Sequence, residues 1–190
     1  MKKSSVWGVI ISAVLYLLLY IAGAASGAIH PACFAYVGAV LPLLFSFIYL
    51  YTASVMKCFG AAAVLNGFVL AVGLIAGEGN PALIIGMILL AAAAEFIRYR
   101  CGYDTIKGVR SSFIPFAFSF FAYTAHWWTD KEGSLASAVE EMPAGYADKM
   151  AKVIGNIPVL IIVLVLTVPV AILGMRLAEK AIRSKAGSLK

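Results

Sequence analysis

The chain has 190 residues, 63% of them hydrophobic and only 13% charged, with a mean hydropathy of +0.96. It is far too apolar for a water-soluble domain, and too short to add a nucleotide-hydrolysing domain of ordinary size to a membrane bundle. The net charge of +6 does not point to nucleic acid, because the basic residues sit in short segments between or beyond the apolar runs, as membrane topology requires.

A hydrocarbon core roughly 30 Å thick takes about 20 apolar residues in helix. Six spans are predicted: 6–27, 33–55, 58–76, 81–97, 111–128 and 154–177. The first follows Met1-Lys2-Lys3 and runs too long for the apolar core of a cleavable signal peptide, so it is expected to stay as a helix. It carries Gly8-x-x-x-Ser12 and Gly23-x-x-x-Gly27, spacings that let another helix come close. Asn66 in the third span is read as an interhelical hydrogen bond or, failing that, a ligand contact. In the fourth, the charge-free run ends at Ala94, and Glu95 stands three residues before Arg98, a spacing that lets the two pair at the interface. The spans are continuous apolar runs without the alternation of a membrane barrel, so the fold class is an all-α integral membrane protein, one domain over 1–190.

Sidedness comes from Lys and Arg. With the N-terminus inside, the cytoplasmic set is Lys2, Lys3, Lys57, Arg98, Arg100, Lys107, Arg110, Arg176, Lys180, Arg183, Lys185 and Lys190. Only Lys131, Lys149 and Lys152 fall outside, among the acidic Glu78, Asp130, Glu132, Glu140, Glu141 and Asp148. Both termini are therefore expected in the cytoplasm.

The outer loops carry His30-Pro31, then Gly77-Glu78-Gly79-Asn80-Pro81, then a stretch from Tyr123 to Lys152 with His126, Trp127, Trp128 and Asp130. Tyr123, Trp127 and Trp128 suit an aromatic belt at headgroup level. They equally suit a pocket open to the outside, where aromatic faces stack on a ligand and a few polar groups orient it. On that reading the candidate binding residues are His30, Asn66, Glu78, Asn80, Tyr123, His126, Trp127, Trp128 and Asp130. Leu135, Val139, Met142 and Met150 lie among acidic residues and suit an amphipathic helix over the mouth, which the Pro143-Ala144-Gly145 break makes a movable lid rather than a surface-lying segment. His30 and His126 could ligate haem or another metal chelate axially, with Met142 or Cys33 assisting, but no ligand spacing repeats. Cys33, Cys58 and Cys101 form no C-x-x-C pair and are expected as free thiols.

Catalytic signatures are missing: no H-E-x-x-H, no G-x-S-x-G, no Walker sequence. The acid–base groups open to a membrane enzyme, Glu95, His126 and Asp130, are split between the two sides. Ionisable residues inside the spans are nearly absent, which argues against a proton- or sodium-driven device, although a self-sufficient secondary transporter or channel stays open as the alternative.

Taken together, the length, the six spans, Gly77-x-Gly79 after the third, Gly102-Tyr103 in the basic inner loop, Gly145-Tyr146-Ala147 before the last span and the Lys/Arg-rich tail resemble the Trep_Strep group, within the substrate-binding S components of energy-coupling factor (ECF) transporters. The resemblance implies a multi-pass protein of the bacterial cell membrane that captures a scarce micronutrient on the outer face. It implies partners too: a transmembrane coupling subunit and two cytoplasmic ATPases that hydrolyse ATP, the chain itself holding no cofactor. S components dock through A-x-x-x-A on the first helix, and the nearest equivalents are Gly8-x-x-x-Ser12 and Ala24-x-x-x-Ala28, neither of which is that motif at the expected place.

Overall fold

The computed structural model describes residues 3–187, with side chains for 5–182. Lys2 and Lys190 of the predicted cytoplasmic set lie outside the described residues, as do the side chains of Lys3, Arg183 and Lys185. Every regular element among the described residues is helical.

Helix α1 (Lys3–Ala25) runs on as a 3-10 turn, Ser26–Ala28. Then come α2 (Pro31–Tyr36), α3 (Pro42–Val55), α4 (Ala61–Ile75), α5 (Pro81–Cys101), α6 (Ile106–Phe116), α7 (Ser119–Thr124), α8 (His126–Thr129), α9 (Lys131–Glu141), α10 (Tyr146–Ile154) and α11 (Ile157–Gly187). Among the described residues, three helices are long and apolar enough to cross a membrane: Ser5–Ala28, Pro81–Cys101 and Ile157–Ile182. A fourth span forms if Pro31–Ala39 and Pro42–Val55, bent by 42°, count as one. The bend has a local cause, because Pro42 opens α3 without an N–H to continue the preceding ladder.

Besides the bent stretch 33–55, two more of the six predicted spans come out differently. The stretch 58–76 contains α4, apolar but only 15 residues long. The stretch 111–128 is divided among α6, α7 and α8 rather than forming one helix. Pro115 in the last turn of α6 withdraws one ladder donor, and the Ser119 hydroxyl donates to the Phe116 carbonyl at 2.7 Å across the break.

The centre of the bundle is aromatic. Tyr16 of α1 packs against Phe45 of α3 at 4.7 Å between ring centroids and Phe116 of α6 at 5.3 Å, and Tyr49 meets Phe116 at 4.6 Å. Their hydroxyls find partners, as apolar surroundings demand. Tyr49 donates to Ser112 Oγ at 2.8 Å, and Tyr16 donates to Asn66 Oδ1 at 3.1 Å. Asn66 Nδ2 in turn donates to Ser119 Oγ at 3.0 Å and the Met87 carbonyl at 3.3 Å. Asn66 thus ties α1, α4, α5 and α7 together in the interior.

Glu95 and Arg98 pair loosely at 3.9 Å near the C-terminal end of α5, as their spacing predicts, and both are buried within the protein, at 2% and 0% exposure. Arg98 Nη2 donates to the carbonyls of Ala53, Met56 and Tyr103 at 2.9 to 3.1 Å, and Nη1 to Cys58 at 3.3 Å. Glu95 Oε1 accepts from Ala62 N at 2.7 Å, in the first turn of α4. The two charges are drawn inward because they satisfy the free backbone groups where α3 ends and α4 begins.

The 21 residues of α5 separate two ends of the bundle by about 30 Å. One end holds Lys57, Arg98 and Arg110, the last making a bidentate pair with Glu179 of α11 (Nε–Oε1 2.6 Å). The other holds Asn80, the α2 elbow and α8–α10.

Candidate functional site

A cavity of about 920 Å³ opens at the end remote from Arg98. Its elements are placed by local sequence. Helix α4 ends in a Schellman motif: Gly77 takes φ +84°, Gly77 N donates to the Leu74 carbonyl at 3.2 Å, and Glu78 N donates to Gly73 at 2.9 Å. That turn sets Glu78 at the cavity rim. Asn80 then caps α5, its Oδ1 accepting from Leu83 N at 2.8 Å with Pro81 at the first helical position.

The floor is α7 and α8. Gly86 of α5 allows it to sit close, since a Cβ there would stand 2.6 Å from Ala122 Cβ. Tyr123 donates to Glu78 Oε2 at 3.2 Å, bridging floor and rim. Phe34 of α2 meets the rings of Tyr123 and Trp127 edge-on, at 5.7 and 6.2 Å. Trp127 is only 5% exposed, and its indole Nε1 has no hydrogen-bond partner among the described residues.

Over this floor lies α9. Asp130 caps it, Oδ1 accepting from Gly133 N at 3.3 Å, and Ser134 Oγ stands 2.8 Å from His126 Nδ1 while donating to the His126 carbonyl at 3.2 Å. After the Pro143-Ala144-Gly145 break, where Gly145 takes φ +78°, α10 is pinned by its last carbonyls. Tyr36 donates to Val153 at 2.9 Å and Trp128 Nε1 to Ile154 at 3.1 Å, satisfying groups that a helix end leaves free.

The predicted site residues divide accordingly. Glu78, Asn80, Tyr123, His126, Trp127 and Asp130 line the one cavity. His30, Asn66 and Trp128 do not. His30 is exposed and caps α2, its Nδ1 accepting from Ala32 N at 3.1 Å, so it is not brought to a common centre with His126. Among the described residues no three His, Cys, Asp or Glu are grouped so as to hold a metal ion. Gly8 and Ser12 line a shallow groove between α1 and α3 with Tyr51, whereas Ala28 lies past the end of α1 in the 3-10 turn.

The inward face of α9 was missed. Of the apolar residues expected to cover the mouth, Leu135 packs against the core, Met142 lines the cavity and Met150 of α10 is fully buried, whereas Val139 is 71% exposed. The residues turned inward are Ser134, Ser137, Ala138 and Glu141. Their i, i+3, i+4, i+7 spacing was a readable signal, but it is carried by small and polar side chains rather than apolar ones.

Fold and cavity together define an all-helical integral membrane protein with a polar-aromatic chamber at one end. Residues 4–184 match the family described as hypothetical bacterial integral membrane protein (Trep_Strep), and the chain belongs to that family. The description carries no ligand, activity or partner. No curated protein and no solved structure matches the chain.

Proposed function

We propose that this protein is a ligand-capture subunit: the S component of an ECF-type importer, binding a small organic molecule in the α5–α9 chamber. The supporting observation is the convergence of Glu78, Asn80, Tyr123, His126, Trp127 and Asp130 on one drug-sized cavity under a two-helix cover. The basic residues at the other end of α5 support, by the positive-inside rule, a chamber facing outward from the bacterial cell membrane with both termini in the cytoplasm. The buried charges Glu95 and Arg98 are engaged at helix ends, Glu95 through Oε1 alone, which favours a subunit driven by partners over a self-driven transporter. Movement of the ligand would then draw on a transmembrane coupling subunit and two ATPases, with the chain itself catalysing nothing and holding no cofactor. The groove of Gly8, Ser12 and Tyr51 is the surface we assign to the coupling subunit.

Mass spectrometry of small molecules retained through detergent purification tests this reading. A retained ligand, lost in Trp127→Ala protein that still folds, is the expected result. Ion-gradient-driven flux through the isolated chain in liposomes without ATP would overturn it.

A further inference from the structure

Resting on that reading, we propose a charge class for the ligand: an organic cation with a flat apolar body and a hydrogen-bond acceptor. Among the described residues, the wall of the chamber carries three carboxylates, Glu78, Asp130 and Glu141, and no lysine or arginine. Among the described residues none of the three is in an ion pair, since the ion pairs are those of Arg98 with Glu95 and Arg110 with Glu179.

Two of the three receive partial compensation. Glu78 accepts the Tyr123 hydroxyl, and Asp130 sits on the N-terminus of α9. Glu141, exposed at the C-terminal end of α9, has no such partner among the described residues: the helix dipole disfavours a negative charge there and no basic residue occupies the last turn. A negative chamber of this kind is stabilised by a bound positive charge.

The carboxylates are also too dispersed for a bare metal ion, which fits a cation whose charge is spread over an organic frame. Below them, Phe34, Tyr123 and Trp127 supply π faces and edges suited to a cation with a planar body. The indole N–H of Trp127, buried and without a partner among the described residues, is a donor left for an acceptor on the ligand.

The test uses three phenyl probes of similar size and different charge, benzylammonium, benzyl alcohol and benzoate, titrated into the full chain in detergent at low salt and read by tryptophan fluorescence. The cation is expected to bind at least about tenfold more tightly than the alcohol, with benzoate weakest, and Glu78→Gln/Glu141→Gln should reduce the preference severalfold. Benzoate or benzyl alcohol binding as tightly as the cation overturns the proposal. If such binding is still lost in Trp127→Ala, the capture reading survives and only the charge assignment falls. No binding by any probe up to about 10 mM counts against both.

Discussion

Glu95 and Arg98, one turn apart on α5, serve opposite helix ends: the carboxylate takes the free N–H of Ala62 at the start of α4, and the guanidinium takes the free carbonyls of Ala53 and Met56 at the end of α3. Their own approach is loose, 3.9 Å, so their value lies in the backbone groups they satisfy more than in each other. Arg98→Met should therefore cost roughly 3–5 kcal/mol, stripping several carbonyls and stranding a buried carboxylate. Glu95→Gln keeps an acceptor for Ala62 and should cost less than Glu95→Ala. Thermal unfolding in detergent gives the order, and a Gln variant as damaged as Arg98→Met would mean the ion pair dominates.

Gly86 is where the chamber floor meets its wall. Even a methyl at that position would fall 2.6 Å from Ala122 Cβ and 3.2 Å from Ala122 Cα, so Gly86→Ala should destabilise by about 1–3 kcal/mol through overpacking. Removing the opposing methyl in Gly86→Ala/Ala122→Gly should recover most of that loss, a coupling expected only of residues in contact. Additive damage in the double variant would show that the two positions are not in register.

Which features could be read from the chain follows from the interactions that decide them. Apolar length marked α1, α5 and α11, because spanning a bilayer depends on composition alone. It did not mark the divisions of 111–128, which depend on Pro115 and on Ser119 reaching back to Phe116. The rim residues Glu78 and Asn80 were legible through their Gly and Pro neighbours, and the Tyr123–Asp130 cluster through its density of polar and aromatic side chains. His30 was assigned to the site by the same logic, yet its ring nitrogen is taken up as a helix cap, a use that a His-Pro pair leaves open. The role of Glu95 and Arg98 depends on the α3–α4 turn folding over them, which no local pattern reveals.

Ser134 fastens the cover to the floor. Its hydroxyl touches both His126 Nδ1 and the His126 carbonyl, so Ser134→Ala removes both contacts while leaving α9 its Asp130 cap. A loss of about 1 kcal/mol in the closed state corresponds to roughly fivefold more opening. Hydrogen exchange in α9 should speed up by about that factor, with α10 unchanged because Tyr36 and Trp128 still hold its end. Unaltered exchange in α9 would show that the cover is held from α10 alone.

Sidedness can be checked with the native thiols. Cys33 and Cys58 are free and exposed, Cys33 on α2 beside the chamber and Cys58 between α3 and α4 at the Arg98 end. Two single-cysteine variants, each retaining one of them with Cys101 and the other changed to Ser, are treated in intact cells with a charged maleimide that does not cross the membrane. Cys33 should label directly, and Cys58 only after the cells are opened. Because α5 holds the two ends about 30 Å apart, the two thiols stay on opposite sides whichever way the bundle is inserted. The reverse pattern, Cys58 reacting in intact cells and Cys33 protected until lysis, would place the chamber in the cytoplasm and remove the basis for outside capture.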